Sequence, residues 1–157
     1  MKINVICVGE MREMPLRELL SRYAARIPHY MPFEITVIPD IKAGRNLTAD
    51  LQKQREGEAI LSRIASGDFV MLLDERGKEM TSREFAVFID KKASTLSRNL
   101  VFVIGGPYGF SQAVYDRADR MLGLSRMTFT HEMARVLAVE QIYRAMTILR
   151  GEPYHHD

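Results

Sequence analysis

Apolar residues recur along this chain with two periods, that of strands and that of helices, and the two alternate from end to end. Lys2–Val8 is a short β-branched run stopped by Gly9, which predicts a buried strand. Leu16, Leu19, Leu20, Tyr23 and Ile27 share one face of a helix predicted over Leu16–Ile27, with Pro28 and Pro32 marking its end. Phe33–Ile38 alternates apolar and polar positions and predicts a strand with one wetter face. A loop over Pro39–Leu47, carrying Lys42, Gly44, Arg45 and Asn46, leads to a helix that Thr48 can cap. That helix is expected to reach Ala65, polar at first and apolar later at Ile60, Leu61 and Ile64.

Phe69–Leu73 (FVMLL) and Leu100–Ile104 (LVFVI) are unbroken apolar runs of strand length. Between them Thr81 and Glu84 fit the capping box of a helix reaching Ser94. After the second run come Gly105–Gly109, a helix from Ser111 and a short strand over Met121–Leu124. A long helix from Thr130 to Leu149 follows, closed by Gly151 and Pro153. On its polar side Glu140 and Arg144 are spaced to pair one turn apart. Its apolar face, from Met133 through Val136, Leu137, Val139, Ile142, Tyr143 and Met146 to Leu149, is broad. Either part of that face packs on another subunit or the whole helix lies inside one core. Alternating elements and strands apolar on both faces predict an α/β fold. Its sheet is mainly parallel, with helices on both faces, in one domain over residues 1–157.

The 157 residues suffice for one sizeable core, and 46% hydrophobic with 27% charged residues is a globular balance rather than a disordered one. A net charge of +2 is too small to indicate nucleic acid by itself. Cys7, the lone cysteine, sits in an apolar run and predicts a buried thiol in a reducing compartment. No segment approaches the ~20 apolar residues of a membrane helix. The opening run is broken by Glu10, Arg12 and Glu13 and does not read as an export signal, so a cytoplasmic protein is expected.

Parallel sheets bind ligands beyond the carboxyl ends of their strands. Three predicted loops leave such ends: Asp74–Gly77, Gly105–Gly109 and Ser125–His131. Gly105 and Gly106 would let a ligand approach the backbone, or would merely make a tight turn. The loop lacks the G-x-G-x-x-G pattern, Leu124 and Ser125 stand where a ribose-binding acid belongs, and no P-loop occurs, which disfavours NAD and ATP. Asp74 and Glu75 are either acid–base groups or partners of Arg76. His29, His131, His155 and His156 lack cysteine partners, so no metal is expected. Beyond the Gly151–Pro153 break, Tyr154 offers a ring for a base to stack on and His155 a hydrogen-bonding imidazole; the alternative is a frayed chain end.

LLDERG (72–77), FVIGGPYG (102–109), LSRMTFTHEMARVLAVEQIYRA (124–145) and RGEPYH (150–155), with the opening KINVICVG, occur in order. Together they resemble the ribosomal RNA large subunit methyltransferase H family over essentially the whole chain. Members of that family are minimal SPOUT-class enzymes that methylate N3 of a pseudouridine in 23S rRNA. The resemblance implies a SPOUT-type fold with a C-terminal trefoil knot, against the usual rarity of knots. It implies S-adenosyl-L-methionine as cofactor and a homodimer, which suits the broad face of the last helix. Position by position, Leu72 and Leu73 would line the cofactor pocket. Gly105, with Gly106, would approach the cofactor, and Leu124, Ser125, Arg126 and Met127 would cover it. Arg144, Tyr154 and His155 would face the RNA in a site shared between subunits. There Arg144 would stabilise charge developing on the uracil-like ring, and His155 or water would take the N3 proton. Relatives often carry a basic residue after the Tyr-His pair; here His156 and Asp157 follow, which weakens a contact from tail to phosphate. Two other readings fit the same pocket: a non-catalytic RNA- or nucleotide-binding module, and a cofactor-dependent enzyme of small metabolites.

Overall fold

The two unbroken apolar runs lie side by side near the middle of one sheet. In the computed structural model, which describes residues 1–41 and 46–156, five strands and five helices alternate. They are β1 (Ile3–Val8), α1 (Met14–Arg26), β2 (Phe33–Ile38), α2 (Ala49–Leu61), β3 (Phe69–Glu79) and α3 (Ser82–Thr95). Then follow β4 (Leu100–Ile104), α4 (Gln112–Arg117), β5 (Arg120–Gly123) and α5 (His131–Leu149). The strands run parallel in the order β2-β1-β4-β3-β5. The expected loop residues Lys42, Gly44 and Arg45, and Asp157 of the tail, fall outside the described residues.

Local signals start three helices where expected, while α2 stops at Leu61, short of the expected Ala65. Thr48 accepts a hydrogen bond from the Leu51 amide, Thr81 and Glu84 complete their capping box, and Thr130 accepts from the Met133 amide. Gly151, with a φ of +67°, turns the chain out of α5 in a conformation that disfavours other residues.

Alternation along β1 separates two cores. Ile3, Val5 and Cys7 join Leu20 of α1, Phe85 and Ile89 of α3, and Val136, Val139 and Ile142 of α5. Ile6 and Val8 face the other way, with Ile60 of α2 and Val114 of α4. Burial pushes the Cys7 thiol up to about 11, against the opposing influence of Arg135, so it is inert at neutral pH. The fully buried Arg135 donates to the carbonyls of Val8 and Gly9, at 3.0 Å each, and ties α5 to the end of β1.

The long helix is mostly satisfied within its own chain. Val136, Val139, Ile142 and Met146 are buried, while Met133 and Leu149 remain exposed at its ends.

One expected loop is instead part of a strand. Asp74–Gly77 bulges out of β3, and pairing resumes beyond it, because Leu122 of β5 is the partner of both Leu73 and Lys78. Gly77 makes the return possible: a β-carbon there would lie 2.5–2.6 Å from backbone atoms of Leu122 and Gly123.

Candidate active site

The carboxyl ends of β3, β4 and β5 open onto a cavity of about 890 Å³. Its walls are the β3 bulge, the Gly105–Gly109 turn and the segment from Leu124 into the first turn of α5. A second hollow of about 290 Å³ lies between the sheet and helices α3 and α5. Leu73, Leu122, Leu124 and Phe129 line both, so the two are neighbouring parts of one recess. The smaller part is largely apolar, with Phe85, Phe102 and Leu137, and carries polar groups at Ser82 and Gln141. An apolar slot joined to a wider chamber with charged groups on its walls suits a flat ring with a charged extension.

The predicted pocket residues divide. Leu73 lines the recess, but Leu72 does not reach it. Successive strand residues point to opposite faces, and the Leu72 side chain is packed in the core beside α2 and α4. Gly105 and Gly106 line the cavity with backbone alone. A β-carbon on Gly105 would sit 3.0 Å from the Phe110 ring, and one on Gly106 would sit 2.9 Å from Glu56. A β-carbon on Gly105 would thus crowd the Phe110 ring, whereas the carboxyl end of Glu56 could give way to one on Gly106. Leu124, Ser125 and Met127 line the cavity, and the Ser125 hydroxyl accepts from the Met127 amide at 3.0 Å, shaping the turn. Arg126 is exposed and stands outside the lining.

Asp74 is a paired carboxylate. Tyr115 donates to its Oδ2, and the amide and guanidinium of Arg76 reach Oδ1 at 2.8 and 3.3 Å. Burial works to raise its pKa, but these hydrogen bonds outweigh it and hold the carboxyl below its ordinary value. A carboxylate held ionised and engaged on both oxygens is a poor general acid, and this pairing favours a structural role at the cavity wall.

Glu152, Tyr154 and His155 of the tail are each held by other side chains. Tyr30 donates to Glu152 at 2.6 Å, a bond that, with burial, pushes the Tyr30 hydroxyl up to about 12. The Tyr154 hydroxyl donates to Glu140 Oε1 at 3.0 Å and lies 3.4 Å from the Tyr23 hydroxyl, while its ring packs edge-on against Tyr143. Burial and these contacts move the Tyr154 pKa well above a free phenol's. Arg144 stacks over the Tyr154 ring at 4.9 Å and reaches His155 Nδ1 at 3.2 Å. A guanidinium only donates, so Nδ1 is the acceptor and the ring proton of His155 sits on Nε2.

The structure thus brings Arg144, Tyr154 and His155 together and adds Glu140, which sequence reasoning treated only as a helix-stabilising partner of Arg144. The i,i+4 spacing was visible; that the same carboxylate also holds Tyr154 was not. A hydrogen-bonded chain links this cluster to the recess: Ser82 donates to Gln141 Oε1 at 2.7 Å, and Gln141 donates to Glu140 Oε2 at 2.9 Å. Arg144, Tyr154 and His155 themselves line neither part of the recess. Among the described residues no group of three or more His, Cys, Asp or Glu could hold a metal, and no helix is long and apolar enough to cross a membrane.

The chain is of the methyltransferase class: a family model described as "Predicted SPOUT methyltransferase" matches residues 1–155. A crystal structure of a probable methyltransferase from Bordetella pertussis Tohama I shares the fold, with a TM-score of 0.57 over 92% of this chain and 94% of that one, at 15% identity. Ribosomal RNA large subunit methyltransferase H of Parabacteroides distasonis is 52% identical over 157 residues, with both chains fully covered. The protein of the same name from Christiangramia forsetii is 49% identical over 156 residues, 99% of each chain. The chain belongs to the ribosomal RNA large subunit methyltransferase H family.

Proposed function

We propose that this protein methylates N3 of a pseudouridine in 23S ribosomal RNA, using S-adenosyl-L-methionine, as a cytoplasmic homodimer of one-domain subunits. The carrying observation is the recess beyond β3, β4 and β5 in a chain whose similarity to the methyltransferase H relatives runs its full length. A C-terminal trefoil knot belongs to the same reading.

The recess suits the cofactor: the apolar slot at Phe102, Leu124 and Leu137 would take the adenine, and the Gly105–Gly106 backbone would approach the sugar side. S-adenosylmethionine, held by these residues, would supply an electrophilic methyl group on a positively charged sulfur, with a neutral thioether as the leaving group. The chain's own part is to hold the two reacting atoms in line and to exclude water. Arg144, fixed by Glu140, places a permanent cation where negative charge develops on the deprotonated ring. With Nδ1 accepting from Arg144, His155 would offer a proton on Nε2 rather than a basic lone pair, which favours water as acceptor of the N3 proton.

The cluster of Arg144, Tyr154 and His155 stands apart from the recess of its own chain, which favours a site completed across two subunits. Exposed Met14, Met127, Phe129 and Met133 lie near the N-terminal ends of α1 and α5, which Glu132 ties together through the Arg12 and Glu13 amides. Such a patch suits a dimer contact.

The test is transfer of labelled methyl from S-adenosylmethionine to ribosomes and to free rRNA, followed by nucleoside mapping. Label in N3-methylpseudouridine is the expected result. Cofactor binding without transfer would point to the binding module, and transfer to a small molecule without RNA to the metabolite enzyme.

A further inference from the structure

Glu56 projects from α2 and is only 3% exposed. Its Oε1 accepts from Gln52 Nε2 at 3.1 Å, and its Oε2 has no hydrogen-bond partner among the described residues. A β-carbon on Gly106 would lie 2.9 Å from Oε2 and 3.0 Å from Oε1. Gly106 lines the large cavity, and Glu56 does not. A single residue of backbone therefore stands between this carboxyl group and the cavity. The next residue, Gly57, is pressed against the Ser111 hydroxyl, so α2 docks on both ends of the turn that runs from Gly105 to the start of α4.

A buried acceptor without a donor is costly and is retained where it serves a purpose. We propose that Glu56 is a specificity-determining residue for the cofactor, its carboxylate favouring a positively charged ligand across the Gly106 backbone. This rests on the cofactor reading of the cavity. The methyl donor is a sulfonium cation, and the product left after transfer is a neutral thioether of nearly the same shape. Walls alone separate such ligands poorly. A fixed negative charge separates them because its field is weakly screened where water is excluded. Spent cofactor then leaves in preference to fresh cofactor.

Calorimetry on the full chain, with S-adenosylmethionine and S-adenosylhomocysteine, tests this in wild type and Glu56→Gln. The variant keeps the side chain's shape and removes its charge. The ratio of the two dissociation constants should shift about tenfold towards the thioether. Glu56→Asp keeps the charge and should keep the wild-type preference, which also serves if Glu56→Gln does not fold. An unchanged ratio in folded Glu56→Gln, an equal loss of both ligands, or loss of the preference in Glu56→Asp would overturn the proposal. Wild type binding neither ligand would overturn the cofactor reading itself, and this proposal with it.

Discussion

Glu140 grips Arg144 from one helical turn away: its Oε1 lies 2.6 Å from Nη2 and 3.0 Å from Nε. These hydrogen bonds raise the Arg144 pKa further, so its charge is permanent, and they aim Nη1 at His155. Because Oε1 also accepts from Tyr154, one carboxylate positions three residues of the candidate site. Glu140→Ala should therefore lower the rate of methyl transfer about 10²-fold, the scale on which a misplaced charge-stabilising group acts. Glu140 lines neither part of the recess, so cofactor affinity should change little. Calorimetry beside single-turnover kinetics separates the two; a matching loss of affinity would contradict this division.

His155 should behave as a hydrogen-bond donor rather than a base. His155→Ala is expected to lower the rate by a similar factor at every pH between 6 and 9. If His155 took the proton, the variant would instead lose the acidic limb of the profile.

The proposed sharing of the site between two subunits predicts complementation. Arg144→Ala removes the cation proposed to face the RNA, and Gly105→Val fills the space held by the Phe110 ring and deforms the turn proposed to hold the cofactor. Each variant alone should be inactive. Mixed and re-equilibrated, half the dimers would carry one intact site of two, restoring roughly a quarter of the wild-type rate. Persistent inactivity of mixtures shown to exchange subunits would return the whole site to one chain.

Gly77→Ala should destabilise the protein by about 1–3 kcal/mol, the usual range for forcing atoms into a packed position. The added carbon would meet backbone of β5, which cannot rotate away as a side chain would. Urea unfolding measures the loss, and cofactor affinity should fall too, because Leu73, Leu122 and Leu124 all flank that pairing.

Asp74 carries an acid-dependent share of stability. Its folded pKa is held below the unfolded value, so its contribution is complete above the ordinary 3.8 and fades as pH falls through the lower, folded value. Asp74→Asn should be less stable than wild type at pH 6, with the gap narrowing below 3.8. Urea midpoints compared across that interval decide it; a gap that widens in acid would reverse the assigned sign.

What the sequence determined by itself is what short stretches of chain decide. FVMLL and LVFVI announce buried parallel strands because a strand apolar on both faces must be covered on both. Thr81 and Glu84 mark a helix start because both halves of the capping box lie within one turn. The family segments likewise brought Leu73, Gly105, Leu124, Arg144 and Tyr154 into view. What only the tertiary structure decided depends on residues distant in sequence. Asp74–Gly77 became a bulge within β3 because Gly77 meets the backbone of Leu122. Leu72 was turned into the core and Leu73 into the recess by the strand's alternation, whose absolute facing is set by the helices on either side. Glu152 and Tyr154 of the tail are fastened down because Tyr30 holds the first and Glu140 the second. The glycine at 106 carries no sign in the sequence of the carboxyl group behind it; α2 supplies Glu56 from the opposite face of the sheet, and packing alone brings the two within contact.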